Sequence, residues 1–387
     1  MRAISPTATL GILGGGQLGR MLALEAKRMG YSVAVLDPTP NSPCGQIADQ
    51  QIVAPYADLD AVRRLGSLSD VVTYEFENVD VRAVELMERA GVRIRPGSHA
   101  LRITQHRLRE KRFLTEQNIP VTPFAAVENA EDLAAAAERL GLPGVIKTAS
   151  GGYDGKGQAV VRTRAEAEEA FAALRGRELI WERFVPFVHE LGIICARSES
   201  GAMVTYPVTR NIHEENILAF SIAPADVPAP VAARAREIAE RIAVGLDFVG
   251  TFCVEFFLLS NGELLVNEIA PRPHNSGHYT IDACTLSQFE AQLRAVCDLP
   301  LPPPRMTSSA VMVNILGDGT GDHLMGVPEL LSDPAVALHL YGKRHAVARR
   351  KMGHFTLLRE PSAATAALLE TAREARTRLS WGTKVLV

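Results

Sequence analysis

Two glutamates, Glu255 and Glu268, close the run "VEFFLLSNGELLVNE" at its two ends. β-rich stretches lie on either side of Asn261-Gly262, and Asn-Gly between strands predicts a two-residue hairpin turn with positive φ at both positions. Such a turn sets Glu255 directly opposite Glu268 on one face, with Cβ atoms about 5 Å apart. Opposed like charges in a sheet repel, so the pair calls for a cation, a shared proton or water. A hard divalent ion on carboxylate oxygens meets that need, and Mg²⁺ with nucleotide phosphates is its common form. Two solvated glutamates on an edge hairpin fit the same spacing, although the flanking residues are mostly apolar.

Two glycine loops offer places for phosphate. In "GILGGGQLGR", Gly14, Gly16 and Gly19 spell G-x-G-x-x-G between a strand and a helix, a turn whose amides suit an anion. Asp37 ends the next strand where a dinucleotide-binding enzyme carries its ribose-binding acid, so an NAD-dependent oxidoreductase is one reading. No hydride-transfer constellation accompanies it. In "KTASGGYDGKGQAVV", Gly151, Gly152, Gly155 and Gly157 lie between a strand ending near Lys147 and one beginning near Gln158. That arrangement suits a flap whose N–H groups close over phosphates. It is not a P-loop, because Lys156 is followed by Gly157 and not by Ser or Thr. Glycine content alone fits a plain hairpin; Lys147 and the carboxylate pair turn the reading toward a nucleotide. His274 and His278 in "APRPHNSGH" are four apart, but Pro271, Pro273 and Gly277 oppose the helix a zinc pair would need, and a loop is expected.

The elements that must position these groups follow from periodicity. Residues 9–97 alternate strand and helix ("TLGILG", "GRMLALEAKRMG", "SVAVLD", "DLDAVRRLGSL", "DVVTYEF", "VDVRAVELMERAG"), which predicts a doubly wound parallel α/β sheet. "ALRITQHRLREKRFLTEQNIP" reads as one basic amphipathic helix connecting domains. Residues from about 120 to 298 mix helices with β-branched strands, as an α+β domain does. The prolines of "DLPLPPPRM" mark the next boundary, followed by short strands in "SSAVMVNIL", "ALHLYGK", "HAVARR" and "GHFTLL" and one alanine-rich helix. Three domains are expected, at 1–105, 106–298 and 299–387.

Composition narrows the class. The 387 residues are 47% hydrophobic and 22% charged, with net charge -3, which fits a multi-domain globular chain and argues against a nucleic-acid partner. No signal-peptide pattern opens the sequence and no run of about 18 apolar residues occurs, so a cytoplasmic protein without a membrane partner is expected. The five cysteines contain no C-x-x-C pair, and Cys195 and Cys253 sit in apolar strands as small hydrophobes.

A phosphate-covering loop, a strand lysine and two glutamates on adjacent strands, in this order, resemble the ATP-grasp superfamily. Within it, "GGGQLGRM", "TYEFENV", "GGYDGKGQ", "NEIAPRPHNSGH" and "RRKMGH" together resemble the 5-(carboxyamino)imidazole ribonucleotide synthase family of purine biosynthesis, over residues 10–355. The resemblance implies an N-terminal Rossmann-like pre-ATP-grasp domain, a central ATP-grasp domain and a small β-rich C-terminal domain. It implies carboxylation of 5-aminoimidazole ribonucleotide by bicarbonate and ATP, through carboxyphosphate, by a homodimer using Mg²⁺ or Mn²⁺. It assigns Glu255 and Glu268 to the metal and Asn267 beside them. Arg107 goes to the nucleotide, and Lys147, the loop Gly151, Gly152, Tyr153, Asp154, Gly155, Lys156 and Gly157, and His213 to its phosphates. Glu182, Arg183, Phe184 and Val185 form the adenine hinge, and Glu190 takes the ribose. Arg272 and His274 would act on bicarbonate or carboxyphosphate, with Asn275 nearby. Tyr153 and Asp154 would touch the aminoimidazole, Asp154 orienting or deprotonating its amine. Gly16, Gln17, Leu18 and Glu75 would line the substrate ribonucleotide, and Lys343 and Arg350 its phosphate. Many ATP-grasp enzymes carry Asn two residues after the second metal glutamate; Ala270 stands there in this chain. A formate-using glycinamide ribonucleotide transformylase, a biotin-carboxylase-like ligase and a non-catalytic nucleotide-binding module are the other readings.

Overall fold

A computed structural model describes residues 3–152, 156–361 and 363–383. Near the N-terminus, Gln50–Ile52, Ser32–Leu36, Thr9–Leu13 and Val71–Tyr74 form a parallel sheet in that spatial order. Its three longer strands read as mostly apolar runs because helices cover both faces. Gln17–Arg28 and Gln288–Val296 pack on one side, and Leu59–Ser67 and Val81–Arg89 on the other. Gln50–Ile52 is a strand that periodicity does not announce, since "QQI" has no apolar pattern of its own.

The stretch expected as one connecting helix is two, Ser98–Thr104 and Arg107–Glu116, broken at Gln105 and His106. The Arg107 N–H donates to Ala149 O at 2.8 Å, which pins the second helix beside the second glycine loop. Leu108, Glu110, Lys111, Phe113 and Leu114 are all buried, so this helix is a wall of the interior and not a linker.

Phe124–Val127, Leu179–Arg183, Gly144–Thr148 and Gln158–Val161 make a four-stranded antiparallel sheet. The largest sheet among the described residues has nine strands. It runs Leu264–Ala270, Gly250–Leu258, His189–Arg197, Thr209–Glu214, Ile217–Ala223, Ser309–Leu316, Lys351–Arg359, Val336–Leu340, with Met203–Thr205 added on His189–Arg197. Ile217–Ala223 pairs antiparallel with Ser309–Leu316, so one sheet continues past the proline run. "HAVARR" is not a strand; it contributes only a bridge from Ala348 to Gly317. Helix Ala229–Gly245 buries Ile238 and Ile242 against Val254, Phe256 and Val266 under the carboxylate hairpin. Cys195 and Cys253 are buried free thiols in their strands.

The hairpin reaches its expected pairing by a different route. Of the two turn residues only Gly262 has positive φ, at 84°. The Leu259 N–H donates to Glu263 O at 2.9 Å and the Gly262 N–H to Leu259 O at 3.0 Å, which leaves a three-residue loop with glycine in the left-handed position. A β-bulge next to Glu255 then places Asn267 as one extra residue in the return strand. The longer turn and the extra residue cancel, and Glu255 still faces Glu268.

Candidate active site

Around the carboxylate pair, the helix Arg107–Glu116 and the strands Gly144–Thr148 and Leu179–Arg183 bring cations. Arg107 Nη1 lies 3.0 Å from Glu268 Oε2. Burial alone would raise the Glu268 carboxyl, but Arg107 and Lys147 outweigh it and hold it below the ordinary carboxylate value. At Glu255 burial and the charge of Glu268 outweigh the opposing His213 and Arg272 charges and push it up to about 8. Lys147 Nζ donates to Glu182 Oε2 at 2.8 Å, and Lys111 Nζ lies 3.5 Å from Glu182 Oε1. Against its burial, these two lysines hold Glu182 at about 2. Lys111 also donates to Asn267 O at 3.2 Å and Val266 O at 3.4 Å, gripping the bulge through its backbone. Asn267 Oδ1 is buried beside the carboxylates and has no hydrogen-bond partner.

On the other rim, His213 Nδ1 lies 2.6 Å from Glu190 Oε2. Arg272 forms an ion pair with Glu77, and His274 Nε2 lies 3.6 Å from Glu255 Oε1. Burial and the Arg272 charge keep His274 well below its ordinary value, so it is a neutral hydrogen-bonding imidazole. Gln288 holds its backbone from both sides, accepting from His274 N at 2.9 Å and donating to His274 O at 2.8 Å. The Asn275 amide is engaged by Asn314 at 3.1 and 2.6 Å.

The first glycine turn is already occupied by the chain itself. The Gly16 N–H donates to Glu75, the Gly19 N–H donates to Glu75 Oε2 at 2.7 Å, and the Gly15 N–H donates to Asp37 Oδ2 at 2.8 Å. Asp37 also accepts from Tyr56 Oη at 2.6 Å and is buried. Amides that would meet a dinucleotide pyrophosphate are therefore satisfied by carboxylates, and the acid that would bind its ribose is turned inward. The NAD reading fails on this geometry. An anion expected on these amides also meets Glu75 there, and Lys343 and Arg350 lie in the segment that joins strands Val336–Leu340 and Lys351–Arg359. Lys343 sits near Glu75 and Arg350; burial first, then the Arg350 charge, lower it to about 7.

Three family models match the chain in series: the Ribonucleotide synthetase preATP-grasp domain over residues 7–105, the ATP-grasp domain over 112–289, and the Phosphoribosylaminoimidazole carboxylase C-terminal domain over 310–367. The N5-carboxyaminoimidazole ribonucleotide synthase of Bacillus subtilis is 46% identical over 358 residues, covering 92% of this chain and 93% of that one. The chain belongs to the N5-carboxyaminoimidazole ribonucleotide synthase family. An ADP complex of an N5-carboxyaminoimidazole ribonucleotide synthetase superposes with a TM-score of 0.90 at 46% identity, over 97% of both chains. The Aspergillus clavatus synthase, solved with ADP and 5-aminoimidazole ribonucleotide, superposes at 0.88 and 36% identity, over 96% of this chain and 99% of that one.

Of the residues that the motifs single out, the structure brings Glu255, Glu268, Arg107, Lys147, Glu182 and His274 together through printed pairings, beside the Arg272–Glu77 and His213–Glu190 pairs. Gly151 and Gly157 have positive φ, and Gly152 lies within 3.6 Å of the Arg107 guanidinium when given a Cβ. Tyr153, Asp154 and Gly155 lie outside the described residues. The Glu182 side chain points to Lys147 and Lys111, while Phe184 beyond it is exposed and its N–H donates to Pro143 O at 3.1 Å. Motif reading missed Glu77, Glu110, Lys111 and Gln288. For Lys111 a signal existed, because it stands four residues after Arg107 and so shares its helix face. Glu110, three residues after Arg107, shares that face too and accepts from Ile269 N at 3.0 Å, whereas Gln288 carries no local signature.

The donor set fits a hard divalent ion. Two facing carboxylates, one of them pushed toward protonation, and an orphaned amide oxygen are the groups that such a cation would satisfy.

Proposed function

We propose that the chain carboxylates the amine of 5-aminoimidazole ribonucleotide with bicarbonate, converting ATP to ADP and phosphate and giving N5-carboxyaminoimidazole ribonucleotide. The observation that carries this reading is the run of ionisable groups from the carboxylate pair to His274, to Arg272 two residues before it with its partner Glu77, and to Glu75 two residues before Glu77, near Lys343. A nucleotide phosphate end, a small-oxyanion position and a ribonucleotide end thus share one site.

Bicarbonate is a poor electrophile because its leaving group is hydroxide. An oxygen of bicarbonate displaces ADP at the γ-phosphorus, and the carboxyphosphate formed then loses phosphate, leaving carbon dioxide for the amine to attack with loss of a proton. Exclusion of water protects the carboxyphosphate. Mg²⁺ on Glu255, Glu268 and Asn267 would supply charge neutralisation at the ATP phosphates. Arg107 and Lys147 face the transferring phosphoryl group, with Glu182 orienting Lys147 through their 2.8 Å ion pair. Residues 182–185 take adenine, Glu190 the ribose, and His213 and the loop Gly151, Gly152, Lys156, Gly157 the phosphates. Arg272 gives bicarbonate a planar cation and His274 a neutral donor. Glu75 accepts from the substrate ribose, beside Gly16, Gln17 and Leu18; Lys343 and Arg350 hold its phosphate.

Phosphate release measured with each component omitted tests the reading. Release should require 5-aminoimidazole ribonucleotide, bicarbonate and Mg²⁺ together. Release with formate and glycinamide ribonucleotide, and none with 5-aminoimidazole ribonucleotide, overturns it.

A further inference from the structure

Beyond the loop that carries Arg272 and His274, the short helix Thr280–Ala283 turns Asp282 toward the C-terminal strands. His339 and His354 are cross-strand partners on Val336–Leu340 and Lys351–Arg359. Their rings stack at 4.7 Å with 18° between planes. His339 Nε2 lies 3.1 and 3.0 Å from the two Asp282 carboxylate oxygens. One ligand atom each of Asp282, His339 and His354 lies within 4.8 Å of the other two. None of the three belongs to the site described above.

His354 supplies a second, independent observation. It is fully buried; Nδ1 lies 2.9 Å from Tyr341 Oη, and Nε2 has no hydrogen-bond partner. A buried ring nitrogen without a partner carries a desolvation cost that a bound cation would relieve. The tautomer that donates Nδ1–H to Tyr341 Oη leaves the Nε2 lone pair available, and outer partners of this kind set the tautomer of metal-bound histidines. His278, the next ring at 4.9 Å, is instead committed through Nδ1 to Gln288 Nε2 at 3.0 Å.

We propose that Asp282, His339 and His354 form a second metal site, which takes Zn²⁺ or another borderline divalent ion. Two imidazoles and one carboxylate, with a position left for water, suit that class, whereas Mg²⁺ selects oxygen donors. Zinc–ligand lengths near 2.0–2.1 Å place ligand atoms about 3.4 Å apart, so the His339 ring must turn off the stack. Its strand is the sheet edge and its side chain is partly exposed, which leaves room for that turn. The ion would tie the loop carrying Arg272 and His274 to the two strands that bracket Lys343 and Arg350. It would fix the oxyanion end of the active site against the phosphate end.

Titration of untagged, chelator-stripped protein with Co²⁺ in excess Mg²⁺ tests the site by visible d–d absorption. About one Co²⁺ per chain should bind with nitrogen-ligated absorption, and Zn²⁺ should displace it and raise the melting temperature. Asp282→Asn and His339→Gln, each near-isosteric, should abolish both signals. Glu268→Gln should keep them, which separates this site from the carboxylate pair, as should His345→Gln at an exposed histidine. Absence of the Co²⁺ absorption in the unaltered protein, or undiminished binding in both ligand variants, overturns the proposal.

Discussion

Glu255 carries a folding penalty at the position proposed to bind a cation. Its carboxyl has an ordinary value of 4.5 and is pushed up to about 8 by burial and by Glu268. The unfolded chain releases this proton near 4.5 while the folded protein retains it, so folding loses stability as pH climbs from about 4.5 to about 8. Glu255→Gln removes that penalty. We expect the metal-free variant to melt higher than the parent, by a margin that widens with pH across this window and is constant above it. Turnover should fall at least tenfold, about 1.4 kcal/mol of lost transition-state stabilisation, because a cation ligand is gone. Melting scans in chelator at several pH values, beside turnover in Mg²⁺, measure both; a pH-independent difference in melting would refute the buried pair.

At the scale of elements, the bulge and the helix Arg107–Glu116 act as one device. Lys111, nearly inaccessible, binds two carbonyls of the bulged strand and the Glu182 carboxylate that orients Lys147. Removing one member of a buried ion pair leaves the other uncompensated, but Lys147 still partners Glu182. Lys111→Met should therefore cost on the order of 2–3 kcal/mol, below the usual range for breaking a buried pair. It should also raise the KM for ATP by loosening Asn267 and Lys147 together. Urea unfolding and steady-state kinetics report the two effects; an unchanged unfolding midpoint would show that the grip on the bulge carries no energy.

For the whole molecule, the relevant fact is that the C-terminal strands reach back to the first glycine turn. Gln46 Nε2 donates to Gly342 O at 3.0 Å, and Tyr341 joins the core under helix Gln17–Arg28. This docking buries Lys343, lowering it from 10.5 to about 7. The charged amine is disfavoured in the fold, so the penalty is fully present below about pH 7 and relieved as pH rises toward 10.5. A bound phosphate would draw the proton back, and substrate affinity should weaken as pH rises above about 7. Lys343→Met should raise the KM for 5-aminoimidazole ribonucleotide with a smaller change in kcat, and flatten that pH dependence. A KM profile for the variant that keeps the parent's slope would assign the titration to another group.

What the sequence by itself determined is local: the parallel sheet from its alternating periods, the two glycine turns, and the facing of Glu255 and Glu268. Its family was legible in the order of short motifs. Even the facing pair was inferred from a turn one residue too short, and it held because the Asn267 bulge restored the register. Spacing encodes which residues share a strand face or a helix face, since those periods are set by the backbone. It does not encode which distant groups meet. Only the tertiary structure decided that Glu75 would cap the first glycine turn, that Lys111 would turn inward from a stretch that reads as a basic amphipathic connecting helix, and that His339 and His354 would stack beside Asp282. Those meetings depend on how sheets and helices from separate parts of the chain pack, and packing is a property of the assembled core, not of any window of residues.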